Sequence, residues 1–285
     1  MHTLSRGIIL KKGAFTMANE VVKYHNEMNK LAFTGFSPSE LNVFYTLCSI
    51  MKEKGTTKIE LSYDKLIELS GLKDSRLEES RQTKLFENMY KNLLKLTLGF
   101  DDGDKILYFN LFSHFELIRS KRTVSIGVNE DYSYILNNLA NNFTRFELLE
   151  FNEISGEYPK LLYRHLKQWK VPGLWEVRID EFRRLFDVPE WYRMSELDKW
   201  VLKPSIKELQ KIKDFENLKV TKIKKGRAVD KLVFEFKEWV KPKPTRKNNK
   251  IIPKVQYELD TEEKADPEEI EKVMEKLKKV SDNDN

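Results

Sequence analysis

At 285 residues, with 40% hydrophobic and 34% charged side chains, the chain has room for two domains that each bury a core. No uncharged apolar run approaches the roughly 20 residues of a membrane-crossing helix, and the start, MHTLSRGIILKKGAF, lacks the apolar length and cleavage site of a signal peptide. The net charge of +6 is localised: residues 1–155 and 240–285 balance to zero, whereas residues 156–239 hold 20 Lys+Arg against 14 Asp+Glu, the local excess expected of a surface that binds a polyanion.

Residues 1–19 read as a flexible N-terminus, and either Met1 or Met17 serves as the start. Ser37-Pro38 is a helix N-cap with proline at the first helical position. The helix it opens runs to about Lys54, with Leu41, Phe44, Tyr45, Cys48 and Met51 on its apolar face. Cys48, the single cysteine, reads as a small buried hydrophobe in a reducing cytoplasm. A short strand (Lys58–Ser62), a helix (Tyr63–Leu69), a break at Ser70-Gly71-Leu72 and a third helix from about Asp74 to Leu96 have helix-turn-helix spacing. Strand-like runs follow at Thr97–Phe100, Lys105–Phe115 and Thr123–Val128, the first two joined by the turn Asp101-Asp102-Gly103-Asp104.

After a weakly structured Asn-rich stretch (Asn137–Asn142), the order of elements repeats. A helix at Pro159–Lys170 leads to a strand at Trp175–Ile179 and a helix at Ile179–Leu185. A longer helix spans about Ser195–Ile212, and the strands Leu218–Ile223 and Leu232–Phe236 are joined through Lys224-Lys225-Gly226-Arg227. The fold class expected is α+β, with two tandem winged-helix domains, residues 20–140 and 141–240. Residues 241–285 read as a linker and charged tail with a possible helix over 266–280.

The chemistry of catalysis is sparse. Four histidines (His2, His25, His114, His165) without ligand spacing and one cysteine predict no metal site. No phosphate-cradling glycine loop occurs, so no cofactor is expected. A rolling-circle nicking enzyme needs a His-x-His pair beside a tyrosine, and none is present. The chain is therefore expected not to be an enzyme.

The candidate site is a DNA-contacting surface. Lys199, Lys203, Lys207 and Lys211 recur every four residues on one helix, opposite Val201, Leu202, Ile206 and Leu209. Arg193 and Ser195 stand at its entrance, where a recognition helix touches bases or phosphates. Arginine suits bidentate contact with guanine and lysine suits phosphates. Lys224, Lys225 and Arg227 crown the hairpin, and Gly226 permits its turn. In the first half Ser75, Arg76, Arg81 and Lys84 occupy the matching helix, in a neighbourhood without net charge. Trp191 and Trp200 are expected to pack in the core. Pro204 either kinks the long helix or starts a second one.

Three segments carry a family resemblance: Leu161-Leu-Tyr-Arg-His-Leu-Lys167, Ile179-Asp-Glu-Phe-Arg-Arg-Leu-Phe186 and Val201-Leu-Lys-Pro-Ser-Ile-Lys-Glu-Leu209. Together with Val21-Val-Lys-Tyr-His-Asn26, they resemble the initiator proteins of iteron-bearing, theta-replicating plasmids (the Rep_3 type) over about residues 20–239. The resemblance implies a bacterial cytoplasmic protein that binds direct repeats of double-stranded DNA at an origin. It further implies homodimers that repress their own promoter, and monomers that open the origin and recruit a host initiator and helicase. The alternatives are a winged-helix repressor without replication activity and, more remotely, the nicking enzyme.

Overall fold

The computed structural model describes residues 20–72, 79–94, 98–101 and 106–236. The expected N-terminal arm, Ser75 and Arg76, most of the acidic turn at 101–104, and the linker and helix beyond Lys241 lie outside the described residues.

Strand β1 (Val21–His25) leads through a 3-10 turn (Asn26–Lys30) to helix α1 (Pro38–Met51). Ser37 caps α1 as expected. Its hydroxyl accepts the Glu40 N–H at 3.3 Å and the Glu40 carboxylate accepts the Ser37 N–H at 2.7 Å, a reciprocal arrangement that satisfies two orphan donors. The expected apolar face of α1 understates its burial, because every residue from Glu40 to Met51 is buried. The polar members survive there by bonding to neighbouring backbone. Asn42 donates to Ser70 O at 2.9 Å, Thr46 to Asn42 O at 2.7 Å and Ser49 to Val21 O at 3.2 Å.

The first unit continues with β2 (Ile59–Ser62), α2 (Tyr63–Leu69) and α3 (Glu79–Leu93). Between α2 and α3, Gly71 has φ +65°, and a Cβ there would stand 3.1 Å from the Asn152 side chain. Asn152 in turn donates to Leu69 O at 2.9 Å. Glycine is thus required both for the left-handed turn and for the close approach. A short hairpin, β3 (Leu98–Asp101) with β4 (Ile106–Phe109), precedes β5 (Phe112–Ile118) and β6 (Thr123–Val128). The single strand expected over Lys105–Phe115 is therefore two strands with different partners, β4 pairing with β3 and β5 with β6.

Strand β7 (Phe143–Glu147), helix α4 (Leu148–Glu153) and helix α5 (Glu157–Gln168) lead into β8 (Leu174–Arg178) and α6 (Ile179–Leu185). The rest is α7 (Met194–Leu197), a π-helical turn (Asp198–Leu202), α8 (Lys203–Leu209), β9 (Lys219–Lys225) and β10 (Ala228–Glu235). The two halves share one topology. Sheet order is β2-β6-β5 in the first and β8-β10-β9 in the second, each with its hairpin beside the strand that follows the opening helix. This is a tandem winged-helix architecture, as the repeating order of elements predicts.

The units do not form separate cores. One cluster of buried side chains runs from Val22 to Phe236, and α5 contacts α1, β7 and α8. The division expected at 140/141 puts β7 in the second unit, yet its ladder is with β1, Val21 opposite Glu147 and His25 opposite Phe143.

Helix α5 changes the meaning of the charge excess. Lys160, Arg164 and Lys167 lie inside the protein, at 1%, 0% and 8% exposure, so three cations of the basic segment belong to the packing and not to its outer surface. Arg164 donates to Met28 O at 3.1 Å and Leu31 O at 2.5 Å, and its guanidinium covers the Phe33 ring at 4.5 Å. Lys160 donates to Phe151 O at 2.5 Å, and burial pulls its pKa down to about 7.

Candidate nucleic-acid interface

The site is built on the segment from Arg193 to Leu209. Arg193 is the extended residue before α7, its N–H donating to the Glu196 carboxylate at 3.0 Å. The Ser195 hydroxyl donates to the same carboxylate at 2.8 Å. The Ser195 bond, with help from backbone N–H groups and Arg193, lowers the Glu196 pKa. The helix entrance is thereby fixed by Glu196, leaving the Arg193 guanidinium on the exposed surface.

The single helix expected here is interrupted, and Pro204 explains how. In an α-helix the proline ring would strike the carbonyl four residues back, that of Trp200. The chain avoids this by opening the preceding turn: Lys203 N–H donates to Asp198 O, five residues back, the wide spacing of a π-turn. The axis thus continues into α8 without choosing between a broken helix and a second one. Leu197, Val201, Leu202, Ser205 and Leu209 remain buried at 1% or less, while Lys199, Lys203 and Lys207 are exposed. Lys211, the last of the expected stripe, pairs with Glu208 at 2.5 Å.

The wing is held against this helix. Lys222 of β9 forms an ion pair with Asp198 at the start of the π-turn. At the hairpin tip Lys225 lies opposite Ala228, so Gly226-Arg227 is a two-residue turn. Gly226 has φ +65° with open space around it, the positive dihedral that such turns place on glycine. Lys224, Lys225 and Arg227 are all exposed.

Ion pairing separates the cations of the second unit into two sets. Lys167, Lys170, Arg178, Arg184, Lys211, Lys222 and Lys231 each have a carboxylate partner. Arg193, Lys199, Lys203, Lys207, Lys224, Lys225 and Arg227 have none within 4.0 Å among the described residues. Arg183, Lys213 and Lys219 also have no carboxylate partner within 4.0 Å among the described residues and lie elsewhere; the seven expected from sequence are those that fall on one helix and the tip of the hairpin tied to it.

In the first unit Arg81 and Lys84 are exposed on α3, whose opposite face buries Phe86 and Met89. A feature not foreseen there is the turn between β5 and β6, Arg119-Ser120-Lys121-Arg122, a second basic wing tip. It differs from the other in being engaged: Arg119 pairs with Glu87 at 2.5 Å and Arg122 with Asp64 at 3.0 Å.

The expectation that Trp191 and Trp200 are core residues is overturned. They are 72% and 52% exposed, because the core face of their segment is already filled by Leu197, Val201 and Leu202. The Lys199 ammonium lies 4.4 Å from the Trp200 ring centre. The spacing Trp200, Lys203, Lys207 was a usable signal, since positions i, i+3 and i+7 share a face.

Behind the site, Asp214 braces α5. It receives Lys167 at 2.8 Å and Lys170 at 2.9 Å. Partial burial opposes ionisation, but these two ammonium groups outweigh it and hold the carboxyl down to about 2. A depressed carboxyl stabilises the fold above its ordinary pKa near 3.8 and loses that contribution as pH falls through the folded value. Asp214→Asn is therefore expected to remove part of the stability loss between pH 4 and 2, read as a flatter dependence of the urea midpoint on pH.

The fold and this surface define a tandem winged-helix protein with an outward-facing basic helix and wing. The match of residues 21–167 to the first winged-helix domain (WH1) of the initiator replication proteins, and of residues 178–236 to the second (WH2), makes the chain a member of that family. A probable replication protein from Bifidobacterium longum (strain NCC 2705) is 37% identical over 194 residues, 67% of this chain and 65% of that relative's length. A crystal structure of the Pi initiator protein in complex with iteron DNA is similar over 76% of this chain and 96% of that one, with TM-score 0.57 and 17% identity, a likeness of fold.

Proposed function

We propose that the chain initiates replication of a bacterial plasmid by binding direct repeats at its origin, with the segment Arg193–Lys207 in the major groove and the Lys224–Arg227 tip beside it. The observation that carries this reading is the gathering of seven exposed, unpaired cations on a helix and wing joined by the Asp198–Lys222 pair. Membership of the initiator family and a fold shared with an iteron-bound initiator support it. In this reading Arg193, at the helix entrance, reads base edges and the lysines neutralise phosphates. Ser195 serves the entrance through Glu196. Arg81 and Lys84 of the first unit make the weaker, flanking contacts. The action is binding without a catalytic step, so supercoiled repeat DNA incubated with the protein and Mg²⁺ stays uncut. By family membership the proposal extends to a homodimer that represses its own promoter and a monomer that engages the host initiator and helicase.

Arg193→Ala is expected to lose about 10-fold or more of its preference for the repeat over random DNA, the value of one bidentate base contact. Lys225→Ala should weaken both alike. Competition binding measures the two, and an Arg193→Ala variant with unchanged preference would refute the assignment. A plasmid carrying the repeats, maintained only when the chain is supplied, separates an initiator from a repressor.

A further inference from the structure

Three of the large hydrophobic side chains exposed among the described residues, Trp191, Trp200 and Ile223, lie within the helix and wing segment. Trp200 is the one whose position is set most tightly. Its neighbours Val201 and Leu202 are fixed in the core at 0% and 1% exposure, and the π-turn that contains all three is held by the Lys203–Asp198 backbone bond and the Lys222–Asp198 pair. The indole is thus presented outward from a rigid stretch of helix, flanked by the unpaired Lys199 and Lys203. An indole so placed has apolar surface to bury, and among the described residues its one aromatic or cation contact is the Lys199 ammonium.

We infer that Trp200 is a specificity-determining residue that recognises the 5-methyl group of thymine in the major groove. The inference rests on the proposed DNA-binding role of this helix and adds a base identity to it. The major groove offers one apolar feature, the thymine methyl, and it distinguishes thymine from cytosine. Aromatic side chains bury a large area at little entropic cost. The ammonium groups on either side suit the phosphates that border the groove. Trp200 lies seven residues beyond Arg193, roughly 10 Å along a helix axis. For a helix lying along the groove, which runs oblique to the DNA axis, this is about two to three base pairs at 3.4 Å of axial rise each. The thymine read by Trp200 therefore sits about two to three positions from the base read by Arg193.

The test uses the full chain and a duplex bearing the sequence that the chain itself selects from a randomised pool. Replacing thymine by deoxyuridine, which removes only the methyl group, is expected to weaken wild-type binding about 3- to 10-fold at one position. The Trp200→Ala variant should respond less than 1.5-fold there and should relax its own selected sequence at that position. Trp200→Phe should keep most of the discrimination, and unchanged circular dichroism reports that the half-exposed site tolerates both changes. Equal sensitivity of wild type and Trp200→Ala to deoxyuridine, or identical selected sequences, would overturn the inference while leaving the proposed function intact. Failure of the wild type to select any sequence would overturn both.

Discussion

Raising monovalent salt from about 50 to 200 mM is expected to weaken binding of the chain to its repeat by on the order of 10³-fold or more. The expectation follows from counting. Seven cations, Arg193, Lys199, Lys203, Lys207, Lys224, Lys225 and Arg227, are exposed and have no carboxylate partner within 4.0 Å among the described residues. Each phosphate neutralised releases condensed counterions, and log K falls by about 0.9 per contact for each unit of log salt. With Arg193 on base edges, the other six contacts give a slope of about −5. Counting every basic residue of the segment would predict a far steeper slope, and that is where the packing matters. Lys160, Arg164 and Lys167 are inside, and Lys211, Lys222 and Lys231 already hold carboxylates. Replacing Lys224, Lys225 and Arg227 together by alanine should make the slope shallower by about 3 without changing the preferred sequence. Fluorescence anisotropy across a salt series measures both. A slope unchanged by the triple substitution would show that the wing tip stands clear of the DNA.

The architecture was largely legible because its signals are local. Ser37-Pro38 caps a helix, Gly71 breaks one, and Gly226 turns a hairpin; each acts within a few residues, and each stands where expected. The repeated order of elements then predicts two winged helices, and the sheet orders β2-β6-β5 and β8-β10-β9 agree. What was not legible depends on residues far apart in the chain. The β1–β7 ladder joins positions more than 100 residues apart, and no pattern around Phe143 announces it. Charge partition singled out residues 156–239 but could not tell a buried cation from an exposed one. The partner carbonyls of Arg164 are 136 and 133 residues away. The two tryptophans were misplaced for a similar reason: apolar character suggests the core, but the core side of their segment was taken by smaller neighbours. Pro204 shows a third limit. The residue announced an irregularity, while the π-turn that resolves it is a property of the backbone.

Arg164 is the position where substitution should cost most stability. Its guanidinium, fully buried, satisfies Met28 O and Leu31 O at the end of the segment that follows β1 and lies over the Phe33 ring. Arg164→Ala removes both bonds, leaves Leu31 O without its donor and opens a cavity beside Phe33; together these are expected to cost roughly 3–5 kcal/mol. Arg164→Met should cost less, since it keeps the stem's volume and relieves the desolvated charge, whose Nε finds no partner. The order of the two separates hydrogen bonding from filling: equal losses would assign the whole effect to the unsatisfied carbonyls, and a much milder methionine variant to the cavity. Urea unfolding at neutral pH measures both, and a loss below about 1 kcal/mol for Arg164→Ala would contradict the burial argument. The consequence reaches the interface through geometry. Arg164 sits on α5, which also contacts α8 and is braced through Lys167 to Asp214, just beyond α8. A weakened α5 therefore loosens the orientation of the second winged helix relative to the first. If the repeat engages both units as proposed, the alanine variant should lose more affinity for a full repeat than for a half-length duplex that only the second unit can fill.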